Sequence, residues 1–364
     1  MKIKDITQAL GQLAPEYYAE DFDNVGLLVG DKDQEVQKAL ITLDTTEAVV
    51  GEAIDKNCEL IISFHPILFK GLKKINPNNY VSKAVIKAIK HDIGIYATHT
   101  ALDNIHKGTN HVFAEKLGLN DCKVLVPKPE TIKKLTTYIP VDDTDKVREA
   151  LFAAGAGNIG NYERCSFTLD GKGSFKGNSE SSPVKGNRGV TQLEDENQVS
   201  ITFAAHKESA VLKALFKAHP YEEVAYEVTT LDNQNQQRGI GMVGHLDEAI
   251  SENKFLDMLK KRFHTPCVRH SVLTGKKIKR VAVLGGSGSF AINQAKSAGA
   301  DAFVTADLKY HDFFQSENQI LLADIGHFES EQFTKELLYD FLKEKFTNFA
   351  PVLAESNTNP VQYT

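Results

Sequence analysis

Two stretches of this chain alternate short apolar runs with helix-period segments, and a stretch of different grammar separates them. From Lys38 to about Leu119, KALITLD, LIISF and GIYAT read as strands. TEAVVGEAIDKN, NYVSKAVIKAIKHD and GTNHVFAEKLG read as the helices between and after them. From about Arg238 to the end, RGIGMVGHL, IKRVAVLG, DAFVTAD and QILLADI read as strands. Here SENKFLDMLKKRF, FAINQAKSAG and HFESEQFTKELLYDFLKEKF read as helices, the last long and amphipathic. Alternating strand and helix implies right-handed crossovers and a parallel sheet covered on both faces. Nearly continuous apolar strands suit that burial.

The middle stretch follows a different order. TIKKLTTYIP is a strand and DTDKVREALFAAG a helix; CSFTLDGKGSF and QVSITFAA are strands; HKESAVLKALFKAH is a helix and EEVAYEVTTL a strand. Strand, helix, strand, strand, helix, strand is the split βαβ or ferredoxin-like pattern. Its central hairpin carries a polar stretch, Gly171 to Asn197, read as a functional or disordered loop. The expected fold is therefore α/β: a split α/β domain with a mostly parallel sheet, residues 1–127 and 238–364. An inserted α+β ferredoxin-like domain, residues 128–237, interrupts it.

Composition removes several classes. Hydrophobic residues at 41% and charged residues at 25% exclude a mainly disordered chain, collagen and a coiled coil. A net charge of −6 gives no global attraction to nucleic acid. Basic clusters (Lys70, Lys73 and Lys74; Lys260 to Arg262; Lys276 to Arg280) read as solvated faces unless the fold joins them. Cys58, Cys122, Cys165 and Cys267 form no CxxC pair, so neither a disulfide framework nor a thiolate zinc site is expected. The amino terminus lacks a signal-peptide core and no apolar run approaches the ~20 residues of a membrane span. The expectation is a cytoplasmic protein with no membrane partner.

In an open α/β sheet, ligands sit outside the carboxyl ends of the strands. Asp44 follows KALIT, His65 follows LIISF, His99 and Asp103 follow GIYAT, and His327 and Glu331 follow QILLADI. His327 and Glu331 are four apart and share one helix face, and His99 and Asp103 have the same spacing. Singly, such residues are caps or surface decoration. Together they gather imidazole nitrogens and carboxylates from both halves of the chain, a donor set for a divalent first-row ion: zinc, manganese or iron. Glu331 could bridge two ions about 3.5–4 Å apart. Asp307 and His311, in TADLKYHD, read either as supports or substrate contacts for this site or as a helix cap and an exposed histidine. GGSGS, between a strand and a helix, reads as a glycine-demanding turn more readily than as a phosphate cradle.

Several motifs occur in a recognisable order: DNVGLLVG, SFHPILFKGLKKI, THTALDN, TADLKYHD and DIGHFESE. Together they resemble the NGG-interacting-factor-three-like family, the GTP cyclohydrolase type-2 homologues. GKGSF and AHPYEEVAYEV resemble the PII- or CutA-like insert of its longer bacterial members. The resemblance implies two metal ions per subunit, held by His65, Asp103, His327 and Glu331, with His99 in a supporting or proton-transfer role. It also implies a homohexamer of two stacked trimers forming a toroid. The family's first motif commonly has two adjacent histidines, whereas this chain has Phe64 before His65.

The expected function is a hydrolase-like, dinuclear-metal protein in which metal-activated water attacks a nucleotide or related substrate, with His99 and His311 moving protons. The alternative is a toroidal scaffold for single-stranded nucleic acid, or a metal-handling protein without turnover. The Lys/Gly/Ser-rich stretch bearing Phe175 motivates the nucleic-acid version.

Overall fold

The computed structural model describes residues 1–364. The chain divides into two compact units, Met1–Pro127 with Gln236–Thr364, and Lys128–Asn235. The second unit ends at Asn235, two residues before the expected end at Gln237. There the Gln236 side chain accepts a hydrogen bond from the Val124 amide, and the Gln237 carbonyl accepts one from His106.

In chain order, the first unit opens with α1 (Ile3–Leu13), β1 (Gly26–Val29), β2 (Lys38–Thr42), α2 (Glu47–Asp55) and β3 (Leu60–Ser63). It continues through α3 (Tyr80–Lys90), β4 (Gly94–Ala97), α4 (His99–Asp103), α5 (Thr109–Lys116) and β5 (Asn120–Pro127). The second unit contains β6 (Ile132–Pro140), α6 (Thr144–Ala153), β7 (Phe167–Lys176), β8 (Thr191–Ala204), α7 (Glu208–Ala218) and β9 (Tyr226–Leu231). The chain re-enters the first unit as β10 (Gly239–Ser251), α8 (Glu252–Phe263), β11 (Arg269–His270), β12 (Lys277–Ser287) and α9 (Ile292–Ser297). It ends with β13 (Ala302–Ala306), β14 (Leu321–Asp324), α10 (His327–Glu331), α11 (Thr334–Lys345) and β15 (Ala350–Leu353).

The first unit contains two sheets, ordered β1-β4-β3-β2-β15 and β11-β14-β13-β12-β10-β5. The expected parallel pairing forms the centre of each: β15-β2-β3-β4 in one, β12-β13-β14 in the other. Antiparallel strands complete them. Each sheet borrows a strand from across the insertion. β15 joins the first sheet and β5 the second.

Alternation along each strand divides the cores. In β3, Leu60 and Ile62 face α1 and α11 beside Ile6, Leu10, Leu338 and Leu342. Ile61 faces the opposite layer with Val49, Val50 and Ala84 of α2 and α3. Both helices of that layer are capped, since Thr46 accepts from the Val49 amide and Asn79 from the Ser82 amide. The second sheet is covered by α5 and α8 on one side, where the rings of Phe113 and Phe263 lie 4.9 Å apart. The α9 helix covers its other side.

Two sequence expectations need correction. HFESEQFTKELLYDFLKEKF forms two helices, not one. The break follows Glu331, and the next turn restarts with Glu336 bonded to the Phe333 carbonyl. The first piece buries carboxylates (Glu329, Glu331) and the second buries leucines (Leu338, Leu342). The polar stretch Gly171 to Asn197 is mostly strand. β7 and β8 pair from Phe167↔Ser200 to Lys176↔Thr191, and only residues 177–190 connect them. The second unit has the strand order β7-β8-β6-β9, all antiparallel, with α6 and α7 on one face around Leu135, Val199 and Leu215.

Phe113 comes from before the insertion and packs wholly buried among residues that follow it. Phe113→Ala should therefore destabilise the unit by about 3–5 kcal/mol. Chemical denaturation checks this, and a loss below about 1 kcal/mol would contradict the cross-insertion core.

Candidate metal centre

Parallel pairing places residues just past neighbouring strands side by side. Thr42 is opposite Ser63, so Asp44 stands next to His65. His65 Nδ1 lies 2.8 Å from Asp44 Oδ1. Thr305 is opposite Asp324, so the segment holding Asp307 meets the start of α10. His327 Nδ1 lies 2.6 Å from Asp307 Oδ2. β1 runs antiparallel to β4 with Gly26 opposite Ala97, which brings Asp23 to the chain just after β4. His99 Nδ1 lies 2.7 Å from Asp23 Oδ1, and the Thr100 amide donates to the other carboxylate oxygen. Each of the three histidines thus gives its Nδ1 proton to a carboxylate. That fixes the tautomer and directs Nε2 outward, the arrangement seen around metal-ligating imidazoles.

Two of these Nε2 atoms converge on one oxygen. Glu331 Oε2 lies 3.1 Å from His65 Nε2 and 3.2 Å from His327 Nε2. Neither approach has hydrogen-bond geometry, so this buried oxygen has no proper donor. Asp103, also buried, leaves its Oδ1 equally orphaned. Buried carboxylate oxygens without donors are costly, and a divalent cation is the partner that removes the cost. The ligand atoms of His65, His327 and Glu331 all lie within 4.8 Å of one another, close enough for one ion. Two imidazole nitrogens and a carboxylate suit zinc and its first-row neighbours.

The charges agree with this. Burial opposes ionisation of Glu331, but the His65 and His327 charges outweigh it and hold the carboxyl at about 2. Burial likewise opposes charge on His65, but Glu331 and Asp44 push it up to about 10. Burial again opposes charge on His327, which Asp307 and Glu331 drive to about 11. Burial and then the Glu331 charge raise Asp103 well above the usual carboxylate range.

The neighbouring backbone is shaped around these side chains. A Cβ at Gly286 would lie 2.5 Å from Glu331 Oε1 and 3.3 Å from His327 Nε2, and the residue has φ +65°. Glycine in GGSGS therefore makes room for the centre. Two of the loop's amides are already used, Gly285 on Asn110 and Gly286 on Ser330. His99 and Asp307 are non-glycine residues with positive φ, +29° and +58°. Such backbone strain is typical of residues held for function. Thr358 donates to the second oxygen of Asp44 at 2.7 Å, so the carboxy-terminal segment braces the His65 support.

The expected residues separate as follows. His65, His327 and Glu331 come together. Asp103 lies buried near enough for the Glu331 charge to act on it. The His99 ring stands 5.4 Å from His65. His311 is exposed on the turn Tyr310–Ser316 with its ring against Tyr310 and Phe314. Asp307 adopts a left-handed conformation, so no regular helix carries its i+4 neighbour to the same face. Asp307 itself reaches the centre. Asp23 was not singled out in the sequence, and Asp44 was noted only as a strand-end residue without a role. Strand register was the signal that could have paired each with its histidine.

The family model for Duf34/NIF3 (NGG1p interacting factor 3) matches residues 1–360. The chain belongs to the Duf34/NIF3 family. Similar relatives include the "GTP cyclohydrolase 1 type 2 homolog" of Halalkalibacterium halodurans, 36% identical over 98% of each chain. The protein of the same name from Bacillus subtilis is also 36% identical, over 99% of this chain and 98% of its own. The crystal structure of a Bacillus cereus protein related to NIF3 superposes with a TM-score of 0.82 at 35% identity, covering 100% of this chain and 99% of that one. In this Duf34/NIF3 chain Phe64 is fully buried, its ring 5.0 Å from His65 and 5.6 Å from His99. It packs in the core beneath the site and supplies no ligand atom.

Because both imidazoles are protonated at pH 7 in the metal-free protein, an ion takes each Nε2 only by displacing a proton. Metal binding should release about two protons and tighten with pH, by up to about 100-fold from pH 7 to 8. Calorimetry in buffers of different ionisation enthalpy measures the release. Binding that releases none and ignores pH would contradict the assignment.

Proposed function

We propose that this chain is a metal-dependent hydrolase of the GTP cyclohydrolase type-2 homologue kind, acting on a nucleotide or a related planar heterocycle. The observation that carries the reading is the convergence of His65 Nε2, His327 Nε2 and Glu331 Oε2, with each imidazole oriented by its own aspartate. Two ions per subunit form part of the proposal: one on His65, His327 and Glu331, and a second on Glu331 and Asp103. Zinc is favoured, with manganese or iron fitting the same donors. When bound, such ions supply Lewis acidity.

The residues around them do the rest. Asp44 and Asp307 hold the two ligand histidines in one tautomer and one orientation. His99, whose Nδ1 is committed to Asp23, has Nε2 available to move a proton. Phe64 closes one side of the centre against water. Phe69 stands 6.1 Å from His99 and 6.3 Å from Phe22, and both phenylalanines are largely exposed, 45% and 66%. This aromatic wall beside the imidazoles supports a flat heterocyclic substrate, since exposed rings are stacking surfaces. A homohexameric toroid facing its sites inward belongs to the same proposal, as does a cytoplasmic location. No helix is long and apolar enough to cross a membrane.

No observation favours the nucleic-acid scaffold. Phe175 lies against Tyr221 instead of standing free, and Lys172 and Lys185 of the polar stretch are paired with Asp195 and Glu194.

The test is turnover of a panel of purine nucleotides and phosphoesters by the metal-loaded protein, with imidazole-ring opening of GTP followed by its ultraviolet absorbance. Glu331→Ala should reduce any activity on the order of 100-fold or more. Turnover of nothing in the panel, or an equally active Glu331→Ala protein, would defeat the proposal.

A further inference from the structure

GKGSF and AHPYEEVAYEV, the two insert stretches singled out in the sequence, line one cavity in the second unit. It encloses about 680 Å³, inside the roughly 300–1,000 Å³ usual for small-molecule sites. It lies on the sheet face that α6 and α7 do not cover. Its strand residues Tyr138, Gly171, Glu196 and Gln198 alternate with the core residues Ile139 and Val199.

A buried carboxylate lines this cavity. Glu196 is only 8% exposed, and its Oε1 accepts a hydrogen bond of 2.9 Å from the Tyr221 hydroxyl. A Cβ at Gly173 would fall 2.0 Å from Oε2, so glycine in GKGSF leaves this oxygen its space. Tyr221 is held in turn by His219. The Tyr221 amide donates to His219 Nδ1 at 3.1 Å, which leaves Nε2 to donate to the Tyr138 carbonyl at 3.0 Å. The Phe175 ring stands 5.8 Å from Tyr221. Of the three lysines that line the cavity, Lys172 is paired with Asp195 at 2.7 Å and Lys185 with Glu194 at 2.9 Å, and Lys176 is exposed at the end of β7. The hydrogen-bond partner of the Glu196 carboxylate is thus a neutral hydroxyl, and the rings of Tyr221 and Phe175 line the same cavity. A buried carboxylate with aromatic walls is complementary to a positive charge on a flat or apolar body.

We propose that this cavity binds a small organic cation, a protonated amine, amidine or guanidine on a flat or apolar body. Its N–H groups donate to Glu196 and its body lies against Phe175 and Tyr221. The site belongs to the second unit alone and rests on no reading of the metal centre.

The test uses the full-length protein and calorimetric titration with benzamidine, agmatine, tyramine and spermidine, with benzoate as the oppositely charged counterpart of benzamidine. At least one cation should bind with one site per chain, and benzoate should not. Glu196→Gln should weaken binding at least about tenfold, with folding checked by circular dichroism. A second variant works by filling the site. Gly171 is directly opposite Glu196, and a Cβ there would meet only the Glu196 carbonyl at an ordinary 3.7 Å. Gly171→Arg should place its own guanidinium beside Glu196, abolish binding and raise Tm. Glu331→Ala should bind the cation as the unaltered chain does. The proposal is overturned if no cation binds at millimolar concentration, if benzoate binds equally, or if folded Glu196→Gln binds as tightly. Loss of binding in Glu331→Ala would place the cation at the metal centre and overturn it too.

Discussion

A single buried carboxylate oxygen organises the first unit. Glu331 Oε2 sits buried between two imidazole nitrogens, out of line with both, without a well-aligned hydrogen-bond donor. A carboxylate kept ionised in that position needs positive charge, and the surrounding chain is arranged around supplying it. Parallel strand ends of the two sheets meet at it, one delivering His65 and the other His327. Gly286 surrenders its side chain to leave room. Asp44, Asp307 and Asp23 each capture one Nδ1, so the imidazoles cannot turn away. α10 ends as soon as Glu331 is placed, and α11 starts again with a leucine face for the other core.

Much of this was legible from strand ends. His65, His327 and Glu331 could be chosen because apolar runs fixed where strands stop, and because i,i+4 spacing fixed a shared face. The supporting aspartates were not legible to the same degree, since their role depends on which strands are neighbours. Asp23 precedes an antiparallel edge strand, and only the Gly26↔Ala97 register brings it to His99. The four-residue spacing of Asp307 and His311 left two readings open, and the left-handed step at Asp307 is what sequence spacing could not show. β5 and β15 were invisible for a related reason. NDCKVLVP and APVL are short or half-polar, and they become strands only through partners from the far side of the insertion.

The polar stretch of the insert illustrates the opposite error. Glycines, lysines and serines suggested a loop, yet β7 and β8 form a long hairpin whose pairing is satisfied by backbone hydrogen bonds whatever the side chains. Its glycines then acquire a different meaning. At Gly173 the missing side chain accommodates a buried glutamate, as Gly286 does in the first unit. In both units glycine is spent on clearance around a buried carboxylate, not on flexibility.

The central claim is that histidine nitrogens and carboxylate oxygens, with no sulfur, hold a divalent ion at Glu331. X-ray absorption at the zinc edge of the metal-loaded protein reads the ligand shell directly. The account predicts a shell of light atoms near 2.0–2.1 Å, with multiple-scattering features of about two imidazoles that diminish in His327→Ala. A sulfur shell near 2.3 Å, or an imidazole signal unchanged in His327→Ala, would contradict it.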